Sequence, residues 1–205
     1  MLPLGLFSNR IFSGAAFVSM VSGATFYGLL FTLGLYFQQV RGFSALETGL
    51  AFLPLTASVT VGSMVSNRVV RTAGTGLAVC AALGSEGLGF LGLLMVDGAS
   101  AYWIVAASML VIGFSAGLIT PAATAVLMGT VEPGESGIAA GVLNSARQTG
   151  AAVGVAVFGS VVASSQPFAD GMRTACEFAA TLLLPGTGVW WVAWSGGRSA
   201  KGWAK

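Results

Sequence analysis

Two sets of side chains could do chemistry in a chain that is otherwise mostly apolar. Asn144, Arg147 and Gln148 follow at i, i+3 and i+4 spacing, so they share one helix face. They sit in the run VEPGESGIAAGVLNSARQTGAAVGVAVFGSVV, residues 131–162, with Gly137, Ala140, Gly141 and Ala151 continuing the same face. A polar stripe beside small residues can line a cavity, where its donors and acceptors would meet a ligand, or it can anchor a neighbouring helix. Arg147 could also neutralise a helix C-terminus or an acid on another segment. A buried anchoring or gating role fits the stripe better than direct ligand contact. Glu86 is the second set by itself, near the middle of the apolar stretch 76–96. Desolvation disfavours the charged form of a carboxyl, so Glu86 is a candidate to carry a proton. The competing reading is a neutral side chain hydrogen-bonded to a neighbouring helix. The 205 residues include no His, which removes His-based zinc sites and His-based acid–base catalysis. No set of nucleophile, base and metal ligands emerges, so neither an enzyme nor a bound cofactor is expected. Cys80 and Cys176 lie in apolar stretches and read as small packing residues.

The elements that must position these groups are membrane spans. The chain is 55% hydrophobic and 8% charged, against roughly 25% charged in soluble domains. Its mean hydropathy is +0.85. Apolar stretches at 11–37, 45–67, 76–96, 101–128, 137–163 and 173–194 are each long enough to cross a bilayer. The expectation is an all-α integral membrane protein, one domain over 1–205 built as a bundle of six transmembrane helices. Short connections leave no room for a soluble domain. Residues 1–10 do not read as a signal peptide, because the apolar run after Arg10 is far longer than an h-region. A net charge of +2 argues against nucleic acid as a partner. With six spans, one side holds both termini and carries Arg10, Arg68, Arg71, Arg198, Lys201 and Lys205, while the other carries Arg41 and Arg173. The positive-inside rule then puts both termini in the cytoplasm.

Several patterns refine this picture. Pro54, Pro121 and Pro185 fall inside spans and would kink them. Tyr36, Phe37, Tyr102, Trp103, Trp190, Trp191 and Trp194 fit membrane-interface positions. GxGxxG at Gly87–Gly92 lacks the strand and following acid of a nucleotide site and reads as helix packing. GxxxG pairs at Gly113/Gly117, Gly137/Gly141 and Gly150/Gly154 read as close helix crossings within the bundle.

Four stretches carry a family resemblance. Residues 132–141, EPGESGIAAG, followed by Asn144, Arg147, Gln148 and Gly150, resemble the penultimate-helix signature of the major facilitator superfamily, in its branch of fourteen-helix drug/proton antiporters. LFSNR at 6–10 resembles that branch's approach to its ninth helix, LYFQQVRGFSALETG at 35–49 the following loop, and AFLP at 51–54 the start of the next helix. The resemblance covers about 4–194 and implies a C-terminal half, helices nine to fourteen, made of two inverted three-helix repeats. No such repeat is visible in the sequence. The resemblance further implies that the first, second, fourth and fifth spans line or flank a substrate cavity. Asn144, Arg147, Gln148 and Pro121 are thus cavity or gating candidates, while Glu86 and Glu177, on the third and sixth spans, are less favoured. Arg68, Arg71 and Gly74 fall in a cytoplasmic loop that only weakly matches the family's gating loop, since its Asp is missing. The implied function is proton-coupled efflux of drugs or small organic metabolites across the plasma membrane, with the proton gradient as energy source. Its partners would be the lipid bilayer, a small organic substrate, and a missing N-terminal half or a second copy. The alternative is a membrane interaction or assembly protein derived from such a half.

Overall fold

The computed structural model describes residues 8–96 and 100–200, and all regular structure among them is helical. Leu6 and Phe7 of the first motif, and Lys201 and Lys205 of the charge count, lie outside the described residues. Asn9 opens the first helix by accepting a hydrogen bond from the Ile11 amide at 3.0 Å, which satisfies one of the donors a helix start leaves over. Helix α1 covers Arg10–Leu35 and finishes in a π-helical turn, Tyr36–Val40. Gly42 follows at φ 67°, a conformation that favours glycine. A reciprocal capping box between Ser44 and Glu47 starts α2, Ala45–Ala51, and α3 covers Leu53–Ala73. Then come α4 (Thr75–Leu93), α5 (Tyr102–Met128), a 3-10 turn at Pro133–Glu135, α6 (Ser136–Ser164) and α7 (Phe168–Ala200).

Each expected span is matched by helix, and five of them are long and apolar enough to cross a membrane. The sixth, 173–194, lies wholly within α7 but is not among those five. Two local expectations change. Pro54 sits in the first turn of α3, where its missing N–H is one the helix could not have used, so it starts a helix and does not kink one. Arg68 and Arg71 are helical, because α3 continues to Ala73; the anticipated loop shrinks to Gly74 at φ 78°. Tyr36, Phe37 and Trp190 are buried inside the bundle, at 2%, 1% and 0% exposure, while Trp103 and Trp191 remain exposed. Phe37 stacks on Phe43 at 5.6 Å and meets Phe52 edge-on at 5.8 Å, and the Tyr102 hydroxyl donates to the Ala51 carbonyl at 3.1 Å. These aromatics tie α1, α2, α3 and α5 together at one end.

The packing has an internal order. Helix α1 lies mainly against α6, and α3 against α5; α4 contacts α5, and α7 contacts α1. Exchanging the first three spans for the last three maps these contacts onto one another. Glycines repeat the correspondence at single residues. A Cβ on Gly23 would meet the Arg147 carbonyl of α6 at 2.6 Å, and one on Gly117 would collide with the Val59 carbonyl of α3. Gly150 stands against the Met20 carbonyl as Gly62 stands against that of Phe114. Backbone thus touches backbone at both crossings, which only small residues permit. Gly89 and Gly92 of the GxGxxG stretch face Ile112 and Ser108 of α5, so that stretch is a packing surface. Gly113/Gly117 and Gly150/Gly154 also pack as expected. Gly137 and Gly141 do not, having nothing within 4 Å.

Candidate functional site

The two crossings enclose a cavity of about 110 Å³ between α1, α3, α5 and α6. Helix α1 contributes Ser19, Ser22, Phe26 and Tyr27; α5 contributes Ala116, Ile119 and Thr120. Val59 of α3 and Leu143 and Arg147 of α6 complete the wall. Val59 and Arg147 occupy matched positions, because each offers its carbonyl to the corresponding glycine of the other crossing. One step before those glycines, Ser22 matches Ala116; two steps after them, Thr25 matches Ile119. The backbone scheme is therefore duplicated, while the hydroxyls at these two matched positions stand on α1 alone. Packing alone does not require them.

Of the residues singled out in sequence, Arg147 reaches this cavity. Its Nη2 donates to Asn144 Oδ1 at 2.8 Å, which fixes the guanidinium and leaves its other donors for a ligand or water. Among the described residues no acid pairs with it, so the stripe neutralises no described carboxylate on another span. Asn144 and Gln148 are exposed, as are Gly137, Ala140 and Gly141, whereas Ala151 is buried. The stripe is thus an open face in this chain and not a buried anchor, and Ala151 belongs to the packed side against α1. Pro121 is half-buried beside Thr120, a cavity residue, and is not itself in the wall. Arg68, Arg71 and Gly74 are exposed at the end of α3, away from the cavity wall.

Glu86 is the surprise. The resemblance placed its helix outside the cavity-lining set, yet the side chain is 0% exposed and turned toward α1. Thr25 Oγ1 lies 2.8 Å from Oε1, and Ser22 Oγ lies 3.4 Å from Oε2. Sequence reading missed Ser22 and Thr25, whose only signal was a spacing of three on a mostly apolar helix that also carries Ser13, Ser19 and Thr32. It also missed a second open polar face. Thr56, Thr60, Ser63 and Asn67 of α3 are all exposed, at spacings that place them on one side of the helix. Thr56 and Thr60 occupy the positions of α3 that correspond to Asn144 and Gln148 of α6.

The sequence profile described as Major Facilitator Superfamily matches residues 3–155. The chain belongs to the Major Facilitator Superfamily. With five helices able to cross a bilayer, this member of the superfamily is a multi-pass membrane protein. It is 33% identical over 192 residues to a methylenomycin A resistance protein of Streptomyces coelicolor, covering 92% of this chain and 40% of the relative. A drug efflux pump, JefA, of Mycobacterium tuberculosis is 30% identical over 164 residues, 80% of this chain and 32% of its own length. A puromycin resistance protein of Streptomyces alboniger is 33% identical over 165 residues, 78% and 33% respectively. This superfamily member therefore spans well under half the length of the relatives it matches.

Proposed function

We propose that this chain is the C-terminal half of a proton-driven exporter of drugs or small organic metabolites, working with an N-terminal half that covers the open faces of α3 and α6. The observation that carries the reading is the chemistry of those faces. Helices α3 and α6 each bury only 28% of their most apolar window, against 50–67% for α1, α4 and α5. The exposed sides hold Thr56, Thr60, Ser63 and Asn67 on α3, and Asn144 and Gln148 on α6. Amides within a span are poorly suited to lipid and belong against protein or an aqueous cavity. The cavity supports the same conclusion. At about 110 Å³ it falls short of the roughly 300–1,000 Å³ typical of organic-ligand pockets, so a second wall is needed to complete it. The relatives' names, resistance and efflux proteins, supply the activity class. In this arrangement Arg147, held by Asn144, presents guanidinium donors to the shared pocket, and Pro121 shapes α5 next to Thr120. The six helices cross the cell membrane with both termini cytoplasmic, as the distribution of Arg and Lys favours.

The test is dye export from a pump-deficient bacterial host. The chain is produced alone and together with an eight-span N-terminal half, and ethidium accumulation is followed with and without a protonophore. Only the pair is expected to lower accumulation, and the protonophore should abolish the effect. Equal export by the chain alone would overturn the need for a second half, and export indifferent to the protonophore would overturn proton coupling.

A further inference from the structure

We propose that Glu86 is a proton-binding site connected to the central cavity through the Ser22 hydroxyl, with Thr25 holding the carboxyl in either protonation state. The inference deepens the exporter reading above and rests on it for the proton gradient that would drive the exchange. Three features of the geometry point to it.

The first is the choice of partners. Glu86 is fully buried, and among the described residues its hydrogen-bond partners are two hydroxyls and no cation. A carboxylate held permanently ionised in a span calls for a positive partner. The ionisable groups on the surrounding helices lie elsewhere. On α1 they are Arg10, Tyr27 and Tyr36, of which Tyr27 faces the cavity; on α5 there is Tyr102, at its start. On α7, Asp170, Arg173, Cys176 and Glu177 cluster in the first turns and Arg198 stands in the last; on α3, Arg68 and Arg71 stand near its end, and on α6 Arg147 lines the cavity. On α4 itself, Cys80 is directed at the Thr187 carbonyl.

The second is the hydroxyl arithmetic at Thr25. Its Oγ1 lies 3.1 Å from the Val21 carbonyl, 3.2 Å from the Ser22 carbonyl and 2.8 Å from Glu86 Oε1. A hydroxyl has one hydrogen to give and two lone pairs to accept. When Glu86 is protonated, its O–H donates to Thr25, and Thr25 donates to a backbone carbonyl. When Glu86 is ionised, Thr25 turns its hydrogen onto the carboxylate. Both states are satisfied by rotating one hydroxyl, with no movement of a helix.

The third is the route. Ser22 touches Glu86 and also lines the cavity. A cavity of this size, with the hydroxyls of Ser19, Ser22 and Thr120 in its wall, has room for water, which needs only about 10–15 Å³ of such space. For release, the carboxyl proton is carried on Oε2, whose O–H passes it to Ser22 Oγ while Ser22 gives its own hydrogen to a cavity water and Thr25 donates to Oε1. The carboxyl becomes a carboxylate, the hydroxyl is regenerated, and the water leaves as hydronium. Loading is the reverse. In the matched repeat, Ala116 and Ile119 replace Ser22 and Thr25, so the relay is not a by-product of the fold.

Infrared spectroscopy of the full chain in lipid nanodiscs, with carbon-13 glutamate, reads this directly. A protonated-carboxyl band should fade reversibly as pH rises and be missing in Glu86→Gln. In deuterated water, its hydrogen–deuterium exchange should slow about a hundredfold or more in Ser22→Ala, the low end for loss of a proton-transfer group. Ser85→Ala is the control, because Ser85 neighbours Glu86 in sequence but bonds Ser115 at 2.7 Å; its exchange should match the wild type. A wild-type band that ignores pH, or equal exchange rates in Ser22→Ala, would overturn the proposal. The wild-type titration decides even if Glu86→Gln does not fold. Absence of dye export with a titrating band would sink the exporter reading alone; dye export with a silent band would sink the relay alone.

Discussion

At Arg147 the backbone and the side chain have separate tasks. Its carbonyl receives Gly23 of α1 at the tightest part of a helix crossing, while its guanidinium holds Asn144 on the exposed side of α6. Substitutions should separate the two. Arg147→Ala should leave thermal unfolding of the purified chain within about 0.5 kcal/mol of wild type, yet abolish ethidium export by the assembled transporter. Gly23→Ala puts a methyl against that carbonyl and should cost about 1–3 kcal/mol by overpacking. The same contrast applies along α6. Gly150→Ala should destabilise by a similar amount, since Met20's carbonyl blocks the new Cβ, whereas Gly141→Ala meets open space and should be silent in the isolated chain. Differential scanning in detergent measures both, and equal shifts at Gly141 and Gly150 would contradict the packing. The polar stripe was legible in the sequence because an arginine and two amides in an apolar run are conspicuous. Which neighbours packed was not legible, because Gly137, Gly141, Gly150 and Gly154 look alike until a partner helix is present.

At the scale of the helix, the apolar stretches could be read because about 20 apolar residues have few other uses. The errors lie where charge or proline was treated as punctuation. Asn67–Ala73 reads as loop from its arginines, yet nothing in it opposes a helix, and only Gly74 has a backbone angle that ends one. Apart from these, Trp190 of α7 is fully buried, donates from Nε1 to the Gly76 carbonyl at 3.2 Å and stacks on Trp194 at 5.9 Å. Trp190 therefore clamps α7 onto α4. Trp190→Ala should cost about 3–5 kcal/mol, the range for emptying a buried aromatic site. Trp190→Phe should cost less, chiefly the hydrogen bond and part of the ring. Guanidinium or thermal unfolding of the two variants tests the order. If Trp190→Ala were as stable as wild type, α7 would be held by other contacts.

For the whole molecule, the decisive feature is the duplicated packing scheme, which the sequence conceals for a physical reason. What the two halves of the chain share is backbone approach, glycine against carbonyl at Gly23 and Gly117, and at Gly62 and Gly150. What differs is the side chains at matched places, Arg147 for Val59 and Ser22 for Ala116, so residue identity hides the correspondence. The duplication also makes a symmetric demand on whatever lies outside. If a second half covers α6 at Gln148, it should cover α3 at Thr60 as well, since these positions correspond. Single cysteines at Thr60 and Gln148, in a chain with Cys80 and Cys176 replaced by alanine, should both react with a maleimide when the chain is alone. Both should be protected when the N-terminal half is produced with it. Cysteine at Leu184, 74% exposed on α7, should react equally in the two cases. Protection at one face without the other would mean that the partner does not straddle the cavity, and the pocket would then have to be closed by something other than a matching half.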